Sequence, residues 1–438
     1  MSIHSHPVPG TRFLRGPLLH CLAEPDKNTD ATEYFNDALL HIKDGYIVAC
    51  GDYQSLKQSY DDHQLAYLEH HPDKLMIPGF IDCHVHYPQT EMIASHGTQL
   101  LDWLNTYTFP VEAQFADIEK SRDVAEVFLQ ELLRNGTTTA LVFCTVHSES
   151  VEGFFQVAQA RKLRMIAGKV LMDRHAPPEV LDTAETGYQQ SQQLINKWHG
   201  VDRLQYAVTP RFAPTSSSEQ LRLAGQLLAD NPGVYLHTHL SENHDEIAWV
   251  KELFPAADSY LDVYDQAGLL GRRSVFAHGI HLCDDQCQRL ADTDSAIAHC
   301  PTSNLFIGSG LFPLKKLQKH GINIGMGTDV GGGTSFSMLQ TLSEAYKIQQ
   351  LQQVNLSPEQ AFYMATLGGA KALDLNDKIG NFAPGKEADF LLIDLHATPL
   401  LKFRNQFCKD WREALFVLQT LADDRVVAET NILGCPQG

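Results

Sequence analysis

The chain has 438 residues, 43% hydrophobic and 20% charged, which describes an ordinary globular protein long enough for one large domain and a smaller one. A formal net charge of −19 repels a phosphate backbone and argues against a nucleic-acid polymer as partner. No apolar run reaches membrane-span length, and the start MSIHSHPVPG has no signal-peptide character, so the expectation is a cytoplasmic protein with no membrane partner. Nine scattered cysteines, an odd number, read as reduced thiols rather than disulfides.

Within residues 1–75 the clearest element is ALLHIKDGYIVACGD, two apolar stretches around an Asp-Gly turn. From residue 76 to 375 short apolar runs alternate with helix-like polar stretches. The runs are MIPGFIDCHVH, TTTALVF, RMIAGKVL, LQYAVTPR, GVYLHTHL, SVFAHGI, AIAHCPT and NIGMGTD. Between them lie amphipathic segments such as DVAEVFLQELLRN and SSSEQLRLAGQLLAD, the second opening on a serine cap. Eight strands alternating with helices predict an α/β fold, a parallel (β/α)8 TIM-type barrel; a doubly wound sheet rarely uses so many consecutive units. After residue 376, IGNFAPGKEADFLLIDL reads as a strand behind a Pro-Gly turn. Segments 1–75 and 376–438 are therefore expected to pair into a small, discontinuous, β-sandwich-like domain beside the barrel.

Barrel enzymes carry their chemistry at the C-terminal ends of the strands, and the unusual polar residues fall there. The first run ends in His84 and His86, and an i, i+2 pair on a strand points both imidazoles to one side. The fifth ends in His237 and His239 with Glu242 just beyond, the sixth in His278, and the eighth in Asp329. Three imidazoles and a carboxylate suit a Zn2+-like ion with one position left for water, which then ionises near neutral pH. Asp329 is placed to take that proton and Glu242 to protonate a substrate. His237 and His239 share a strand face and compete for one position, so spacing leaves the choice open.

The fourth run has no lysine to bridge a second metal, and Lys169 on the third reads as a structural ion pair, which favours one metal. His281 and His299 read as core residues, and Cys283 with Cys287 as a helix face. GMGTDVGGG lacks the Gly-x-Gly-x-x-Gly spacing of a nucleotide loop. The tripeptide His147–Glu149 has no Pro-Cys-x-x-Cys to complete the other zinc deaminase design and reads as loop.

Taken together, PGFIDCHVH, HTHLSEN, AHGIHL and GMGTD resemble the amidohydrolase superfamily of metal-dependent barrels, and PGKEADFLLID resembles the strand that closes its small β domain. More narrowly, HYPQTEM, QLLDWLNTYTFPVE, RNGTTTALVF, TPRFAPTSS, HLSENHDEIAWV, CPTSNLFIGSGLF and GTDVGGGTSFSMLQTL resemble the guanine deaminase family. The resemblance implies one Zn2+ per subunit on His84, His86, His239 and Asp329. It implies Glu242 as proton shuttle, His278 as the residue that orients water or the attacked centre, and Gln89, Arg211 and Phe212 as purine contacts. It further implies hydrolysis of guanine to xanthine and ammonia, a step of guanine catabolism, and a homodimer. The residue types agree: Arg211 is a fixed fork of donors suited to the O6/N7 edge, Gln89 offers donor and acceptor, and Phe212 a backbone N–H and a ring. Leu101 and Trp103 are candidate pocket walls. The competing readings are a deaminase or chlorohydrolase acting on another aminated ring (triazine, cytosine or an adenosine derivative), and a non-catalytic scaffold on the same barrel. The complete set of candidate ligands argues against the scaffold.

Overall fold

In a computed structural model of the chain, residues 10–25, 31–96 and 103–437 are described; the wall candidate Leu101 lies outside them. Five strands precede the barrel: β1 (Thr11–Cys21), β2 (Thr32–Lys43), β3 (Tyr46–Asp52), β4 (Glu69–His70) and β5 (Lys74–Pro78). The barrel strands are β6 (Phe80–His86), β7 (Thr137–Phe143), β8 (Arg164–Gly168), β10 (Gln205–Pro210), β11 (Tyr235–Leu240), β12 (Ser274–His278), β13 (Ala296–His299) and β14 (Asn323–Met326), with the short β9 (Val170–Leu171) beside β10. Three more follow: β15 (Phe390–Asp394), β16 (Val427–Ile432) and β17 (Cys435–Gln437).

Both ends of the chain meet in one sheet of order β17-β16-β15-β5-β1-β2-β3, with β4 pairing β1. The β2–β3 hairpin turns through Asp44 and Gly45 at φ 52° and 87°, the left-handed pair that an Asp-Gly turn accommodates. Alternate residues Leu14, Leu18, Leu40, Ile42, Met76, Phe390 and Leu392 cluster on one buried face. The expected sandwich-like domain is thus a single path of strands. The C-terminal segment is also not all β, since helices Pro399–Asn405 and Trp411–Leu421 separate β15 from β16. The second is tied to the barrel, where Gln419 Nε2 donates to the Leu342 carbonyl at 3.3 Å.

Each of the eight predicted runs contains a barrel strand, and neighbouring strands pair in parallel from β6 to β14. Ile81, Leu141, Ile166, Ala207, Tyr235, Val275 and Ala298 form a packed interior, so the barrel holds a core rather than a pore. The seam between β14 and β6 closes just past β14. His86 N–H donates to the Val330 carbonyl at 2.7 Å, and Asp329 N–H to the His84 carbonyl at 2.9 Å. Asp82 staples the same seam, accepting the Thr328 N–H at 3.0 Å, the His84 N–H at 3.2 Å and the Thr328 hydroxyl. A Cβ on Gly325 would stand 2.3 Å from Cys83 Sγ, so glycine permits this close approach. The seam therefore sets the two β6 histidines against Asp329. Among the described residues no helix is long and apolar enough to cross a membrane.

Candidate active site

Of the smaller expectations, His299 as a core residue and Lys169 in an ion pair agree with the structure, and others come out differently. His147 caps helix Ser148–Ala160 and Glu149 lies in its first turn, so this stretch opens a helix instead of forming a loop. Cys283 is the exposed cap of helix Asp284–Asp292 and Cys287, one turn on, is buried within it. His299 is buried and stacked on Phe312 at 3.9 Å, but His281 is half-buried and donates its Nε2–H to the Ser309 carbonyl at 2.9 Å. Lys169 is fully buried in an ion pair with Asp182.

His84, His86, His239 and Asp329 converge at the barrel mouth, with one ligand-type atom from each within 4.8 Å of all the others. His84 Nε2 and His86 Nε2 lie 3.1 and 3.3 Å from Asp329 Oδ1 and 3.3 Å from each other. Ligand bonds of about 2.0–2.1 Å in a tetrahedron give edges of about 3.3 Å, so the spacing fits a zinc-sized ion. The outer nitrogens support the same reading. His239 Nδ1 sits 2.7 Å from the Arg211 carbonyl, which can only accept, so the proton is on Nδ1 and the Nε2 lone pair is free. His84 Nδ1 meets His237 Nε2 at 2.7 Å. Burial lowers the pKa of all four histidines, with His86 at about 3; neutral imidazole is the form that binds metal. Burial alone would raise Asp329, but His84, His86 and His278 outweigh it and hold the carboxyl well below its usual range. A second cluster of His278, Cys300 and Asp329 shares a ligand with the first. Its thiol is pushed well up by burial and stays protonated, which leaves one full donor set among the described residues.

The cleft beside this cluster is lined by Gln89, Trp103, Arg211, Phe212, Glu242 and His278 together with His86, His239 and Asp329. Glu242 is buried, and burial followed by the charge of Asp329 pushes its pKa up to about 8 against the 2.8 Å bond from the Ser309 hydroxyl. It is therefore a neutral acid near pH 7. His278 gives its Nδ1–H to Asn304 Oδ1 at 2.9 Å, which turns Nε2 toward Glu242 (3.4 Å) and Asp329 (3.7 Å). Ser241, His278 and Asp329 all have left-handed backbone at φ 48°, 70° and 51°, conformations that cost of order 1–3 kcal/mol and cluster at functional sites.

His237, which competes with His239 in the sequence, meets His84 instead. Three other participants were not singled out from sequence: Ser309 holds Glu242; Glu246 accepts the Glu242 and Asn243 N–H groups at 3.0 and 3.2 Å; and Glu112 accepts from both Gln89 and Arg211. Only Glu246 had a readable signal, the Asn-x-x-Glu spacing of a capping box.

A model of the amidohydrolase family matches residues 75–434. A guanine deaminase from Escherichia coli is 52% identical over 410 residues, covering 94% of this chain and 93% of that protein. The structure of E. coli guanine deaminase superposes with a TM-score of 0.95 at 50% identity over 98% of this chain and 99% of that one. A guanine deaminase from C. acetobutylicum, determined with guanine in its active site, superposes at 0.88 with 28% identity over 98% and 100%. By that match over most of its length and that identity to its relatives, the chain belongs to the amidohydrolase family.

Proposed function

We propose that the protein hydrolyses guanine to xanthine and ammonia, with His84, His86, His239 and Asp329 holding one divalent cation. Zinc suits that nitrogen-rich set. A cation bound there supplies the Lewis acidity that ionises water near neutral pH. Asp329, held ionised, accepts a proton from the attacking water. The water oxygen adds to C2 of the ring while neutral Glu242 gives its proton to N3. His278, set between both carboxylates, steadies the new hydroxyl at C2. The proton on Asp329 passes to the amino group, the C2–N bond breaks and ammonia leaves. Glu242 recovers a proton from the C2 hydroxyl as the carbonyl forms. Arg211 and Gln89 read the purine edge, with Phe212 and Trp103 as walls.

The observation that carries this reading is the meeting, in one cleft, of a neutral acid with the buried donors of Arg211 and Gln89. Identity of 52% with the E. coli enzyme supports it. The reading includes a cytoplasmic homodimer and a division into 1–75 with 376–438 against 76–375. Exposed Leu400, Phe403 and Phe407 support a self-contact, which sedimentation tests. The function is tested by following guanine loss and xanthine gain, with adenine, cytosine and guanosine alongside. Turnover of guanine alone is expected; no turnover of guanine sinks the reading.

A further inference from the structure

Arg211 and Gln89 face the cleft, yet what each presents there is decided from behind, by Glu112. This residue ends the short helix Phe109–Glu112 and is fully buried without lining the cleft. Its Oε1 accepts from Gln89 Nε2 at 3.1 Å and its Oε2 from Arg211 Nη1 at 2.8 Å. Phe109, three residues earlier and so on the same side of the helix, packs its ring 5.5 Å from the same guanidinium. The carboxamide of Gln89 is held at its other end too, where Oε1 accepts the Gly331 N–H at 3.2 Å.

These contacts leave Gln89 one orientation. A flipped amide would set its oxygen against a carboxylate and its NH2 against an N–H, two repulsive pairs in a dry site. With the oxygen turned to the Gly331 N–H and one N–H on Glu112, the second N–H of the fixed amide is free to donate. Arg211 has only donors to offer. Together they favour a ring edge made of acceptors, such as a carbonyl oxygen beside a ring nitrogen. An amino group in place of that oxygen meets donors and pays the desolvation of both.

We propose that Glu112 is a specificity-determining positioning residue: by binding Gln89 and Arg211 together it fixes the orientation of both donors and so selects the 6-oxo edge of the purine. This rests on the guanine reading above. An amide at position 112 can rotate to offer oxygen or nitrogen to either partner, and it removes the anion that accompanies the buried guanidinium.

The test compares wild type, Glu112→Gln and Glu112→Asp on guanine and on 2-aminopurine, which keeps the reacting amino group and lacks the 6-oxygen. For Glu112→Gln the expected result is a fall in kcat/KM for guanine of roughly 10- to 100-fold, carried mainly by KM. Bound metal should be unchanged and 2-aminopurine little affected, so the preference between the two collapses. Glu112→Asp keeps the carboxylate and should recover part of the preference. If Glu112→Gln loses its metal or fold, Gln89→Met carries the test, because it keeps the length of the side chain and has no N–H; the same collapse is expected. An unchanged preference, or equal losses on both substrates through kcat, overturns the role given to Glu112. A wild-type enzyme inactive on guanine would instead overturn the functional reading itself.

Discussion

At the scale of single residues, the site separates groups that hold a proton from groups that hold a geometry. Glu242 belongs to the first kind. Glu242→Gln keeps the size and the bond from Ser309 but has no proton to give. Ammonia release should fall by roughly 10²- to 10⁴-fold while metal content stays at the wild-type level; a near-normal rate would remove Glu242 from the proton path. His237 belongs to the second kind. Its Nε2 faces His84 Nδ1 at 2.7 Å and so holds the His84 ring with Nε2 toward Asp329. Substituting His237→Leu leaves that outer nitrogen without its partner, and metal affinity should fall by about 10- to 100-fold, read by competition with a chromogenic chelator. Affinity at the wild-type level would mean that the β6 backbone alone sets the ring. The sequence could not choose between His237 and His239, because both point from β11 to the same side. The difference lies in what each ring meets: the Arg211 carbonyl just past the neighbouring β10 for His239, and His84 of β6 across the barrel for His237. Glu112 was less visible still. It sits 23 residues from Gln89 and 99 from Arg211, on a short helix with no pattern that marks a buried acid.

At the scale of elements, periodicity carried the reading well. All eight runs contain a barrel strand because each is a short, largely apolar stretch that is buried on both faces. The seam was harder to read, since it depends on what is missing: Gly325 has no side chain where Cys83 approaches. Gly325→Ala puts a Cβ against that sulfur and should lower stability by about 1–3 kcal/mol, seen as a lower melting temperature. No change would mean that Cys83 swings aside freely. The turn after β11 offers a test by pH. Glu246 is buried, takes the Tyr260 hydroxyl at 2.6 Å and two backbone N–H groups, and burial followed by the nearby Glu242 raises its pKa from 4.5 to about 7. A carboxyl raised on folding favours the folded state through its protonated form. That contribution is complete below the unfolded value of 4.5 and is lost as the pH rises through about 7. Glu246→Gln still accepts from the N–H groups and cannot ionise. It should therefore gain on wild type between about pH 5 and 8 by on the order of 3 kcal/mol. Parallel melting curves across that range would show that Glu246 does not ionise within it.

At the scale of the whole molecule, the question is what joins the terminal sheet to the barrel. The segment PGKEADFLLID was legible as a strand, and β15 runs through it, but the two acids before the strand do the joining. Glu387 Oε2 takes Arg164 Nε at 2.8 Å and Arg203 Nη2 at 2.7 Å, reaching residues 223 positions away in the first case. Asp389 takes Arg203 Nη1 at 3.2 Å and the Leu433 N–H at 2.8 Å, and its carbonyl accepts the Gly79 N–H at 3.0 Å where β5 passes into β6. One residue thus touches the barrel floor, the C-terminal hairpin and the link between sheet and barrel. Contacts at such separations leave no trace in local sequence pattern, which is why the strand could be read and its anchor could not. All four side chains of this network are buried, and the loss of one partner from a buried ion pair leaves a charge uncompensated, at a cost of about 3–5 kcal/mol. Asp389→Asn should therefore lower the urea midpoint of the whole protein by a corresponding amount while leaving bound metal at the mouth unchanged. Wild type is expected to unfold in one transition by both circular dichroism and tryptophan fluorescence, because the sheet and barrel share this lock. A variant that splits the transition in two would place the coupling in the Asp389–Arg203 pair. A variant as stable as wild type would place it instead in the apolar contacts around the helix Trp411–Leu421, where Gln419 reaches the barrel.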